Sequence, residues 1–137
     1  MYSTKLNRAK CRYIARCIVN QGSPKFVDFL VDTGAKYTCC SYLSINSKLR
    51  ENDFAGAERK KLGGFVNGYT LTVYGYYVNQ FTIGTVNMSG QKIWISFDET
   101  ISDDVLGMDI LSQVIFMQDP HEEILVFSNE KNEILLR

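Results

Sequence analysis

Val27-Asp28-Phe29-Leu30-Val31-Asp32-Thr33-Gly34-Ala35 runs an apolar segment straight into Asp-Thr-Gly-Ala. Strand interiors disfavour aspartate. A carboxylate at the end of an apolar strand, followed by a hydroxyl and a glycine, suits a tight turn that presents the acid to a cleft and holds it by hydrogen bonds. Taken alone, the tripeptide reads first as an ordinary strand-ending Asx-type turn. Its meaning depends on what surrounds it.

Working outward, Arg12 to Val19 alternates well enough for a strand, Asn20-Gln21-Gly22-Ser23-Pro24 is a turn, and Lys25 to Val31 returns as a second strand. Glu58 to Leu62 and Tyr69 to Tyr77 predict a longer hairpin, joined by Gly63-Gly64-Phe65-Val66-Asn67-Gly68, a tip rich in residues that tolerate positive φ. Tyr77 to Ile83, Gln91 to Phe97, Val114 to Met117 and Ile124 to Phe127 are further strand candidates between Gly, Asn, Asp or Pro. Helix is confined to one or two turns within Ser41 to Leu49 and a short piece at Met108 to Gln113. The fold class is mostly β, in a single domain spanning residues 1–137 with its core at about 14–127.

Composition narrows the function. The chain has 137 residues, 45% of them hydrophobic, and 15 basic residues balance 15 acidic ones. That length and apolar fraction suit one compact domain, and the absence of net charge removes the cationic field that nucleic acid or an anionic membrane would require. No apolar run approaches the roughly 18–20 residues needed to span a bilayer, and Met1 to Leu6 lacks the apolar core of a signal peptide. A cytoplasmic protein without nucleic-acid or membrane partners is expected. Cys11, Cys17, Cys39 and Cys40 show no C-x-x-C pair, so they read as small buried hydrophobes; neither a metal site nor a cofactor is expected. The acidic run Asp98 to Asp104 lacks EF-hand ligand spacing and reads as a solvated loop. His121 is the only histidine, and no nucleophile elbow or phosphate-cradling loop accompanies it.

Three ordered motifs together are more specific than any one. Phe29-Leu30-Val31-Asp32-Thr33-Gly34-Ala35, the glycine-rich Leu62-Gly63-Gly64-Phe65-Val66-Asn67-Gly68-Tyr69 and Asp104-Val105-Leu106-Gly107-Met108-Asp109-Ile110-Leu111 resemble, in order and spacing, the catalytic loop, flap and late glycine motif of the retropepsin-like aspartic proteases. The resemblance covers roughly Ile14 to Phe127. It implies a closed, antiparallel barrel-like β fold with a flap hairpin and one short C-terminal helix. It further implies that a strand after Gly107 crosses the catalytic strand near the active site. On this resemblance Asp32, Thr33 and Gly34 are the catalytic segment, with Thr33 bracing two such loops across a two-fold axis and Gly34 allowing close backbone approach. Ala35, Gly63, Gly64, Phe65 and Val66 would contact substrate, and Leu106, Gly107 and Asp109 form the structural motif.

Hydrolysis by aspartates needs two carboxylates sharing one proton. One Asp-Thr-Gly supplies only one, and in the family the position of Asp109 belongs to the helix after the glycine turn. The expectation is an aspartic endopeptidase whose dyad forms from Asp32 of two protomers in a homodimer, acting on an extended polypeptide with an acidic to mildly acidic optimum. A different class remains open: a catalytically silent or dormant retropepsin-like dimer that binds extended peptides or serves as an assembly module. Lys36 is read either as a solvent-facing strand residue or as an ammonium near the cleft that favours an acidic substrate side chain. The basic N-terminal quarter and Ile134-Leu135-Leu136 are read either as solvated arms or as interleaved dimer strands.

Overall fold

The computed structural model describes residues 2–9, 11–63, 70–100 and 103–128. Ten strands make one sheet: β1 (Tyr2–Asn7), β2 (Arg12–Asn20), β3 (Pro24–Val31), β4 (Cys39–Ser41), β5 (Arg59–Leu62), β6 (Leu71–Ile83), β7 (Val86–Ser96), β8 (Val105–Leu106), β9 (Ile115–Asp119) and β10 (Ile124–Ser128). The order is β5-β6-β7-β4-β8-β3-β2-β1-β10-β9, and β6 also pairs with β2 through Cys17↔Ile83. That extra pairing closes β2, β3, β8, β4, β7 and β6 into a ring, in line with the expected closed fold. Most pairings are antiparallel, but β3–β8 and β4–β7 run parallel.

The alternation in β3 accounts for its place. Val27, Phe29 and Val31 are buried on one face, and Phe29 packs on Phe81 of β6 with ring centroids 5.6 Å apart. Each such side chain taken out of water contributes about 1.5–3 kcal/mol, so a one-residue slip of β3 would forfeit the whole face. Leu106, Ile110 and Leu111 complete this core from the far end of the chain.

Several elements differ from expectation. β6 runs unbroken through Tyr77, because β7 supplies an antiparallel partner from Val73↔Ser96 to Ile83↔Val86 and overrides the local signal. The turn between them uses Gly84 at φ +59°, a left-handed conformation that suits glycine. Asp104 does not sit in a solvated loop: it is half-buried and accepts from Ser41 N–H at 2.8 Å and Ser44 Oγ at 2.6 Å. Gly107 leads into a helix, α2 (Met108–Leu111), and not into a strand; the strand beside β3 precedes Gly107, as Val105–Leu106. A further short helix, α1 (Tyr42–Ile45), is capped by Ser41 Oγ accepting from Leu43 N–H.

The N-terminal segment is part of the sheet and not a free arm. β1 pairs with β10 through Tyr2↔Phe127 to Lys5↔Ile124 and with β2 through Leu6↔Tyr13 and Asn7↔Arg12. Tyr2 stacks on Phe127 at 5.9 Å, which gives the segment an apolar anchor that its lysine and arginine content conceals. Ile134-Leu135-Leu136 lies outside the described residues.

Candidate active site

Asp32 sits immediately beyond the last residue of β3, where the strand's apolar face ends. Its N–H donates to Leu106 O at 3.0 Å, continuing the parallel β3–β8 ladder by one bond. The chain then turns: Gly34 N–H donates to Asp32 Oδ1 at 2.9 Å, and Ala35 N–H donates to Asp32 O at 3.1 Å. A Cβ on Gly34 would lie 3.2 Å from Asp32 Oδ1, so glycine is what lets this backbone close on the carboxylate. Half-buried Asp32 faces two hollows. One holds Gly34, Ala35, Lys36, Tyr37, Lys61, Leu62, Gly63 and Leu71, with a volume of roughly 390 Å³. The other lies between Asp32–Thr33, Cys11–Tyr13 and Phe116 and Gln118 of β9.

The loop after the aspartate is clamped from the distant glycine motif. Met108 N–H donates to Ala35 O at 2.8 Å and Asp109 N–H to Lys36 O at 3.1 Å. Thr38, with no exposed surface, donates through its N–H and its hydroxyl to the Asp109 carboxylate, at 2.9 and 2.7 Å to Oδ1, and its Oγ1 accepts from Gly107 N–H at 3.0 Å. Gly107 is tied to this arrangement by contact, since a Cβ there would stand 2.6 Å from Tyr37 backbone carbon and oxygen and 2.9 Å from Ala35 O. Asp109 is thus a positioning residue, its carboxylate occupied by Thr38. Sequence reasoning does not single out Thr38; its only signal is a hydroxyl six residues after Asp32, which means nothing without the fold.

The expected site residues are therefore brought together in part. Asp32, Gly34, Ala35 and Gly63 share the larger hollow, and Leu106, Gly107 and Asp109 buttress the loop after Asp32. Thr33 is exposed and lines the hollow on the other side, and its hydroxyl makes no hydrogen bond among the described residues. β5 and β6 converge at Leu62↔Leu71 above the larger hollow, but Gly64, Phe65 and Val66 lie outside the described residues. Asp103 also lines that hollow and has a partner of its own. Since Leu30 is level with Val105 in the parallel register, Asp103 begins about four residues, ~13 Å of strand, back from Asp32.

Two cysteines border these hollows, Cys39 the larger one and Cys11 the other. Burial pushes the Cys17 and Cys40 thiols far up and Cys39 up to about 12, with nearby Asp104 adding to the shift at Cys39 and Cys40 and Asp28 adding to it at Cys17. Cys11 is exposed, against the expectation of burial, because it occupies the tight β1–β2 turn at φ 53°.

Comparison with known proteins rests on structure alone. No protein-family model matches the sequence and no curated protein matches it. Among solved structures, the chain is similar to the crystal structure of a retropepsin-like aspartic protease from Rickettsia conorii, with a TM-score of 0.64 and 17% sequence identity, over 92% of this chain and 88% of that one. Ring closure, the clamped Asp-Thr-Gly turn and this match lead to one conclusion: the chain has the retropepsin-like fold.

Proposed function

We propose that the chain is an aspartic endopeptidase that acts as a homodimer, with Asp32 of each protomer forming the dyad. One observation carries the reading: Asp32 is the carboxylate of a glycine-closed turn at the rim of a cleft, with Oδ1 held by Gly34 N–H. An asparagine would make the same turn hydrogen bond, so what the acid adds at this rim is an ionisable group facing the cleft. Among the described residues, Asp109 is bonded to Thr38, and Asp103 has an interaction of its own. A second copy would supply the other acid, and the exposed Thr33 hydroxyl on the opposite side of Asp32 suits a contact across a two-fold axis.

In the dimer one carboxylate takes a proton from water, whose oxygen bonds to the scissile carbonyl carbon, while the protonated carboxyl gives its proton to the carbonyl oxygen. Collapse of the tetrahedral intermediate breaks the C–N bond and the amine leaves with a proton returned from the dyad. The β5–β6 hairpin edges the cleft where an extended peptide would add backbone hydrogen bonds. Four free cysteines support a reducing, cytoplasmic setting.

The test is cleavage of a peptide library, read by mass spectrometry across mildly acidic to neutral pH and over a range of protein concentrations. Wild type should cut with a rate per chain that rises with concentration, and Asp32→Asn should lose at least about 10³-fold, as removal of a group required in the transition state does. A folded, dimeric wild type that cuts nothing would replace this reading with that of a peptide-binding module.

A further inference from the structure

The cleft beside Asp32 carries two ammonium groups with no carboxylate partner among the described residues. Lys36 lies on the loop between Asp32 and β4, Lys61 lies on β5, and both are exposed and line the hollow that holds Asp32. Their neighbours differ from them. Lys92 is ion-paired with Glu58, and Lys60 stands 3.9 Å from the same carboxylate. Lys36 rests instead over the Tyr37 ring at 5.3 Å, with Lys60 at 5.1 Å from the same ring.

Tyr37 is itself fixed. It packs edge-on against nearly buried Trp94 at 5.7 Å, and Lys60 and Lys92 lie over the Trp94 ring at 5.2 and 4.8 Å. The phenol is held below its ordinary pKa, first by its hydrogen bond with Lys36 and then by the charges of Lys36 and Lys60. Of this cluster Tyr37 alone lines the hollow, where it stands with Lys36, Lys61, Leu62 and Leu71. The negative groups of the same hollow are Asp32, which the chemistry uses, and Asp103, which is already engaged.

An extended peptide points successive side chains to opposite sides, so one substrate position would face Lys36 and Lys61. A carboxylate there would be attracted by both ammonium charges, and a lysine or arginine would be repelled. We infer that Lys36 and Lys61 form an acid-selecting subsite, so that the preferred substrate is a polypeptide with Glu or Asp close to the cleaved bond. This rests on the reading of the Asp32 cleft as the peptide-binding site.

Peptides that carry Glu or Gln at each position in turn test it with two readouts: cleavage by the wild-type chain, and retention on immobilised Asp32→Asn protein. At one position Glu should be favoured by about tenfold at low salt, and the ratio should shrink as salt rises. Lys36→Ala/Lys61→Ala should bring that ratio to within about twofold in both readouts, since it removes both charges. Cleavage without Glu preference overturns the inference and leaves the protease reading standing. Selective retention without cleavage does the reverse, and neither cleavage nor selective retention overturns both.

Discussion

Asp109 shows how a carboxylate close to the Asp32 loop can be structural. Thr38 is fully buried, and its N–H and hydroxyl both depend on Asp109. Asp109→Ala strands these donors and should destabilise the chain by about 2–4 kcal/mol, measured by urea unfolding, whereas Asp109→Asn keeps an acceptor and should cost roughly half as much. The cysteines offer a cheaper check. Cys11 is exposed while the other three thiols are held up in pKa by burial, so a native chain treated with iodoacetamide at neutral pH should be alkylated once, at Cys11, by peptide mapping. Modification of Cys17 or Cys40 before unfolding would show that the ring opens more readily than its packing implies.

Two glycines in the sheet and its connections look alike in sequence and differ in what surrounds them. At Gly107 an added methyl would collide with Tyr37 and Ala35 backbone, which belongs to the loop that α2 clamps. At Gly75 in β6 the nearest obstacle, at 2.7 Å, is Lys92 Cε, the far end of a flexible side chain. Gly107→Ala should therefore cost about 1–3 kcal/mol or more. Gly75→Ala should stay within about 1 kcal/mol, since it perturbs only the partly exposed Lys92–Glu58 pair. Thermal unfolding of the two variants side by side checks the contrast; equal losses would mean that the β6–β7 contact is as unyielding as the loop behind Asp32.

Across the molecule, Asp104 ties the segment before β8 to Ser41 and Ser44, some sixty residues earlier. Burial raises its pKa above the unperturbed 3.8, outweighing the two hydrogen bonds that lower it. The folded state thus binds the proton more tightly than the unfolded one. The ionised group costs stability at neutral pH, and the cost disappears as pH falls through the folded-state pKa toward 3.8. Relative to Asp104→Asn, wild type should gain stability over that fall in urea unfolding, and a pH-independent difference would assign the effect to another group.

Asp32-Thr33-Gly34, the β2–β3 hairpin and the mostly β class were legible because each rests on neighbours in sequence: strand alternation, turn chemistry and a glycine beside a carboxylate. β4 and β8 were not, since two- and three-residue strands such as Val105–Leu106 and Cys39–Ser41 have no period of their own and exist through partners more than fifty residues away. Nor was the role of Thr38 or Asp104 legible, because a hydroxyl or carboxylate acquires its meaning from the groups that desolvate it. Local chemistry thus dictated which residue would face the cleft. Closure of β6 onto β2, the clamp of Gly107 and Asp109 on the loop, and the meeting of Lys36, Tyr37 and Lys61 in one hollow came from long-range packing, which brings together groups whose sequence separation carries no signal.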